Sequence, residues 1–368
     1  MLSNTSKKFK SKSKAIQVLM LVLALTTVFV MAVIAPAVFA QATINPAADY
    51  QPDFVRGTTQ SLNNKLSPAQ PAPKLGKWTE KAPLPIPRTE MTWSAVYDGK
   101  VHVIGGYDYQ GGFQGRYHQV YDPKNNTWSE RAPIPQGANH IGLAVLDKKI
   151  YAVGGFLEQN KTPHNRVFAY DVSRDRWTEL APLPKPLGSV ATVALRGKIH
   201  AIGGRDTVSV GDHYVYDPAT NTWSQLAPLP GARDHAGAVV VNGFIHLLGG
   251  RFNQFEYNTN LHHVYSPNTD QWKERAPIPT PRSGHGAVWY RDRIFVFGGE
   301  GNGFVYGQVE AYNPTTNSWQ SYEAMPTPRH GMGAAVVDDT VYIAGGGPVT
   351  GGSLMTSTNE AFTLGSQK

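Results

Sequence analysis

From residue 75 onward the chain is built of short apolar runs broken by glycine and proline, and no stretch sustains ten residues of helical period. One stretch shows the unit. Ala236–Val241 is a run of small apolar residues, Asn242-Gly243 is a two-residue hairpin turn, and Phe244–Leu248 is a second apolar run that stops at Gly249-Gly250. His262–Tyr265 makes a third run, ended by Ser266-Pro267, and Trp272–Arg275 a fourth, ended by Ala276-Pro277-Ile278-Pro279. Asp98-Gly99 and Arg196-Gly197 repeat the hairpin turn, while Tyr121-Asp122-Pro123 and Tyr216-Asp217-Pro218 repeat the ending of the third run. The pattern predicts four strands per unit and an all-β domain.

The unit recurs. Double glycines stand at 105–106, 154–155, 203–204, 249–250, 298–299 and 345–346. Tryptophans stand at 78, 128, 177, 223, 272 and 319, and the two ladders keep step even through the one short interval of 46 residues. Six four-stranded sheets in series bury both faces of every sheet only if the row closes into a ring, which predicts a six-bladed propeller. The ends agree with closure. Trp78 opens a fourth-strand pattern with nothing like a blade before it, and Asn359-Glu360-Ala361-Phe362 is a third strand with no tryptophan after it. The two ends are complementary fragments of one blade, so the Trp78 strand is expected to complete the sheet of residues 330–364.

Composition changes the picture at the N-terminus. The formal charge is +7, but five lysines (Lys7, Lys8, Lys10, Lys12 and Lys14) lie in the first forty residues, which hold no other charged side chain. The remaining chain has 29 basic against 27 acidic residues, and the electrostatic case for a nucleic-acid partner disappears. After the lysines, residues 15–35 are almost wholly apolar, and Pro36-Ala37-Val38-Phe39-Ala40 precedes Gln41. Residues 1–40 read either as a cleaved export signal or as a retained membrane anchor. Both readings put the body outside the cytoplasm, in the periplasm, at the cell surface or secreted. Residues 41–74 carry five prolines and no hydrophobic period, and read as a flexible linker. The propeller is assigned to 75–364, with 365–368 as a tail.

Paired glycines followed by spaced Tyr and Trp, six times over between residues 78 and 364, resemble the kelch repeat. The resemblance implies a β-propeller but no single activity, since kelch propellers serve as adaptors, lectin-like proteins and carbohydrate-active enzymes. It also implies that the loops between blades and the loops after the second strands gather at one mouth of the central channel. The first set contributes Arg88, Glu90, Asn139, His140, Arg233, Asp234, His235, Arg282, His285, Arg329 and His330. The second contributes Tyr107, Asp108, Arg205, Asp206, Arg251 and Glu300. Arginine, histidine, carboxylates and aromatics on one rim suit a sugar acid or an acidic peptide. The competing reading is that Arg88, Arg233, Arg282 and Arg329 are the repeat's own arginine, held in ion pairs. His102, His200 and His246 fill a slot that holds Tyr151, Phe295 and Tyr342 in other units, and read as packed aromatics of the second strand. His262-His263 reads as surface or inter-blade polar packing.

Two functions from different classes follow. One is an exported binding module for a carbohydrate or protein ligand. The other is a carbohydrate-active enzyme similar to the kelch-type N-acetylneuraminate epimerases, with Glu90, Asp234, His235, His285, Glu300 and Arg251 as candidates for its acid, base and carboxylate-binding groups. No role transfers residue by residue. Kelch-type copper radical oxidases need a Tyr–Cys cross-link, and a chain with no cysteine cannot form one. Intracellular kelch adaptors pair the propeller with a BTB or F-box domain, and residues 1–74 read as neither. No nucleotide-binding or metallohydrolase motif is present and no cofactor is expected; no metal ligand set is read, and a structural calcium ion in the channel stays open although no acidic loop argues for one.

Overall fold

The computed structural model describes residues 75–108 and 115–365. The segments read as export signal, anchor and linker lie outside the described residues.

The hairpins form where the turn chemistry demands. Asn242 (φ 51°) and Gly243 (φ 80°) both lie in the left-handed region, as the twist of a two-residue turn requires, and they join Gly237–Val241 to Phe244–Leu248. His262–Ser266 and Gln271–Glu274 complete that sheet, in sequential order from the first strand to the fourth. Six such four-stranded antiparallel sheets are present among the described residues, at 95–130, 142–180, 191–225, 237–274, 286–322 and 334–363, and we number them blades one to six. Blade six takes its outermost strand from Lys77–Glu80, which pairs with Asn359–Thr363 in the register Trp78↔Phe362. Among the described residues there is almost no helix, only a 3-10 turn at Phe255–Tyr257.

Neighbouring blades are tied by one repeated stitch. The indole N–H of each outer-strand tryptophan donates to the carbonyl of an alanine just past the outer strand of the preceding blade: Trp128 to Ala82 (2.9 Å), Trp177 to Ala132 (2.8 Å), Trp223 to Ala181 (2.9 Å), Trp272 to Ala227 (3.0 Å) and Trp319 to Ala276 (2.8 Å). The N–H of the same alanine donates to an Asn or Asp side chain, Asn126, Asp175, Asn221, Asp270 or Asn317, which also accepts from a third-strand tyrosine hydroxyl five residues earlier. All five Asx residues have φ between 47° and 54°, a conformation that short polar side chains tolerate best. At the remaining seam Trp78 donates to the Glu323 carbonyl at 3.1 Å, Leu75 supplies the carbonyl for the Glu323 N–H, and Phe362 stands in place of the tyrosine.

The second-strand histidines are not lone packed aromatics. His102 Nδ1 meets His118 Nε2 at 2.8 Å, His200 meets His213 at 2.9 Å, and His246 meets His262 at 2.8 Å. His118, His213 and His262 wedge edge-on against Tyr170, Tyr265 and Tyr312 of the next blade. Blades two and five have Tyr151 with Val167 and Phe295 with Val309 at the same two positions, so the pair changes as a unit. Burial pushes all six imidazoles down, His102, His213 and His262 to about 3 and His118, His200 and His246 to about 4.

Two outcomes are expected. Trp78→Ala removes one stitch and its contacts with Phe362 and Phe297, and should lower the stability of the whole ring by about 2–3 kcal/mol, read as a fall in Tm. The histidine pairs set an acid limb. Above about pH 6.5 both folded and unfolded histidines are neutral, while between 6.5 and about 4 only the unfolded chain takes up protons, so stability falls as pH falls, by about 1.4 kcal/mol per pH unit for each histidine. The His246→Phe/His262→Val double variant, which copies blade five, should flatten that limb in a Tm-versus-pH series; an unchanged slope would show that the pair titrates normally.

Candidate functional site

The two sets of loops meet at one end of the ring through six equivalent two-residue bridges: Thr89–Tyr107, Asn139–Phe156, Gly188–Arg205, Asp234–Arg251, Ser283–Glu300 and His330–Gly347. The double glycines make this approach feasible. A Cβ on Gly250 would stand 2.7 Å from the Asp234 carbonyl oxygen, and one on Gly154 would stand 2.2 Å from that of Leu187. Immediately after the first member of each bridge the backbone turns left-handed, at Glu90, His140, Ser189, His235, Gly284 and Gly331. These turns are linked around the axis by backbone hydrogen bonds, among them His140 N to the Glu90 carbonyl, Ser189 N to that of His140, and Gly331 N to that of Gly284. Holding a side chain in this conformation costs about 1 kcal/mol relative to glycine. Four blades bear that cost, and three of them present a Glu or a His to the axis.

All the candidate residues but His285 sort into three places. Four arginines turn away from the axis into their own blades. Arg282 bonds Glu310 at 2.6 Å and Arg329 bonds Glu360, both partners on the third strand, while Arg88 takes Gln119 (2.7 Å) and Arg233 takes His263 (3.0 Å) at the same position. They are buried to 1% exposure or less, and act as braces between loop and blade. Tyr107, Arg205 and Asp206 lie part-exposed at the rim, and Asp108 is buried beside them, accepting the Tyr117 hydroxyl.

The third group converges on the axis: Glu90, Asn139, His140, Asp234, His235, Arg251, Glu300 and His330, each 3% exposed or less. His140 Nε2 faces Glu90 Oε2 at 2.9 Å, and His330 Nε2 lies 3.5 Å from Glu90 Oε1 and 3.3 Å from Glu300 Oε2. Arg251 bonds Glu300 at 2.5 Å and His235 Nε2 at 3.0 Å, and His235 Nδ1 bonds Asp234. Burial alone would raise Glu90, but the His140 and His330 imidazoles hold it well below the usual carboxylate range. Burial likewise opposes charge on His330, yet Glu300 and Glu90 raise it to about 9. His235 is lowered to about 4 by burial and by Arg251.

The rim is therefore not an open bowl. The loops after the second strands roof it over. Gln159, from the small hairpin of Phe156–Glu158 and Lys161–Pro163, donates to Glu90 at 3.0 Å, and the Gly351 N–H, from the loop of blade six, donates to Glu300 at 3.0 Å. Gln159 was not picked out from the sequence, because it lies outside the repeat pattern. The open space lies below, inside the ring: a cavity of about 340 Å³ walled by the first strands of all six blades, with an alanine from each and with Trp93, Trp289 and Thr92. His285 lines this cavity instead of joining the axial group, since it stands one residue past the left-handed turn. Burial, then Arg282, keeps it neutral, down to about 3.

Comparisons with known proteins agree with this architecture. The model of the KLHDC2/KLHL20/DRC7 Kelch-repeats domain matches residues 73–250 and 234–367. Kelch-like protein 36 of Mus musculus, and likewise that of Rattus norvegicus and of Bos taurus, is 30% identical over 74 residues, a stretch that spans 20% of this chain and only 12% of each relative. The solved structure of YjhT superposes with a TM-score of 0.66 at 17% identity, over 78% of this chain and 97% of that one, a likeness of fold.

If Arg282 is a brace, Arg282→Met should cost about 3–5 kcal/mol in denaturant unfolding by leaving Glu310 charged and buried, and Arg282→Met/Glu310→Leu should recover much of that loss. A single variant as stable as the parent would return Arg282 to the ligand-binding candidates.

Proposed function

The chain belongs to the kelch-repeat family, and on that premise we propose that it is a binding module whose ligand, a segment of another protein, docks on the roof formed by the loops after the second strands. The observation that carries this reading is the placement of apolar surface. Val208, Tyr257, Phe304, Val349 and Leu354 are all more than a third exposed, and all lie on the roof loops of blades three to six, four consecutive sectors of the ring. Large apolar side chains gathered on one face mark an interaction site. The roof loops also brace one another, Asn253 against Ser209 and Asn258 against the Glu300 carbonyl, so the surface is preorganised. The lysine-rich start followed by the apolar residues 15–35 supports placing the module outside the cytoplasm, with membrane attachment if that segment is retained.

Photo-crosslinking tests the reading. A benzophenone amino acid at Phe304 or Tyr257 should capture a protein ligand, and one at Phe244, at the opposite end of a blade in the first hairpin, should not. Equal capture at the two ends would remove the roof from consideration.

One observation favours a second reading, catalysis on a sugar acid. Asp234 orients His235, whose Nε2 faces Arg251, placing a base beside a guanidinium able to grip a carboxylate. The loops bearing Gln159 and Gly351 would have to lift for a sugar to enter. Faster anomerisation of sialic acid by NMR, abolished in His235→Gln, would support it; a rate equal to buffer would retire it.

A further inference from the structure

The axial group directs two imidazole nitrogens at one carboxylate. Asn139 donates through Nδ2 to the carbonyls of Phe156 (3.1 Å) and Glu158 (3.2 Å), which fixes its Oδ1 as an acceptor. His140 Nδ1 lies 2.6 Å from that oxygen and must carry the proton. Nε2 is then the ring nitrogen directed at the carboxylate oxygen of Glu90, at 2.9 Å. Anchoring through Nδ1 recurs twice more. His235 Nδ1 donates to Asp234, and His330 Nδ1 lies 3.0 Å from the Gly347 carbonyl, so both rings also turn Nε2 inward. Glu90 Oε2, His140 Nε2 and His330 Nε2 are fully buried and lack a well-formed hydrogen bond. Ligand atoms of Glu90, His140 and His235 all lie within 4.8 Å of one another.

Metal sites orient their imidazole ligands in this way, with Nδ1–H anchored to a carbonyl or carboxylate and Nε2 turned toward the ion and its carboxylate ligand. We propose that the axis of the propeller binds one divalent transition-metal ion of the zinc class, through Nε2 of His140 and His235 and the carboxylate of Glu90, with His330 beside it. Two imidazoles and one carboxylate in a dry site suit such an ion better than calcium or magnesium, which prefer oxygen ligands. The charges are compatible. Glu90, Asp234 and Glu300 bring three carboxylates to the axis against the guanidinium of Arg251 and the raised imidazole of His330. Binding requires Arg251 to release His235, and its contacts with Glu300 and Asp234 hold it in place when it does.

The test uses the full chain, freed of metal with a chelator and titrated with Co2+ and then Zn2+. One equivalent of Co2+ should give intense visible bands, which Zn2+ should abolish by displacement, and Zn2+ should raise Tm. Glu90→Gln and His140→Gln should each weaken Co2+ binding at least about tenfold, while His102→Phe, outside the axis, leaves it unchanged. No stoichiometric visible spectrum from the folded chain, or equal affinity in folded Glu90→Gln and His140→Gln, overturns the proposal, the latter by showing an adventitious surface ion. If those variants do not fold, 15N spectra of the unaltered chain decide: the His140 Nε2 signal should move on addition of one equivalent of Zn2+, and an Nε2 that stays protonated at excess Zn2+ overturns the site.

Discussion

The indole N–H donated across each seam is the contact on which the rest of this structure depends. A four-stranded sheet with two apolar faces has no stable existence alone, and its neighbour must be held at one distance and one angle. The tryptophan bonds to the alanine carbonyl of the preceding blade, the Asx side chain takes the alanine N–H, and a tyrosine hydroxyl holds the Asx. Each such hydrogen bond contributes about 1 kcal/mol net, but its partners are directional, so the set fixes geometry more than it supplies energy. Repeated around the ring, that geometry sets the channel width and brings the inner loops to a common axis. The seam made by the N-terminal strand keeps the indole bond while replacing Tyr and Asx with Phe362 and a backbone carbonyl, because its two strands come from opposite ends of the described chain.

Chemistry enters where the six blades differ. The arginine before the inner turn occurs in four blades and braces each of them, so its recurrence marks structure. The left-handed turn beside it is equivalent in all six blades, yet it carries Glu90, His140 and His235 in three and glycine at 284 and 331 in two. A Cβ on Gly331 would crowd Thr89 and Glu90, and one on Gly284 would stand 3.6 Å from Glu300 and His330, so the group on the axis is assembled from five blades and has no symmetry. Its charges lie out of water and are tolerable only because each has an opposite charge or a donor within about 3.5 Å. Roof and axis are also one structure. Gln159 and Gly351 touch carboxylates with the same loops that carry or adjoin exposed apolar surface, so a ligand pressing on the roof acts on the hydrogen bonds of the buried group.

Much of this architecture is written in short-range pattern. Blade count, strand order within each blade, the hairpin turns at Asn242-Gly243 and its equivalents, and the complementary halves of the last blade all depend on residues close together or on a ladder of constant step, and a single sequence shows both. The pairing of His102 with His118 is legible only in hindsight, as two positions that change together between units. The Asx residue five places after each tyrosine was likewise visible as spacing, but its role needed the neighbouring blade.

What no spacing reveals is which polar side chains share a space. Glu90, His140, His235, Glu300 and His330 are separated by tens to hundreds of residues and meet because the ring brings its inner loops to one point. Whether a side chain at such a loop faces inward or into its own blade turns on one backbone angle, which is why His285, a single residue past the turn, lines the cavity while His235 reaches the axis. The sequence alone determined a ring of six sheets. Closure decided that the mouth is roofed, that four of its arginines are braces, and that its carboxylates and imidazoles face one another out of water, because burial and proximity belong to the assembled ring and not to any one repeat.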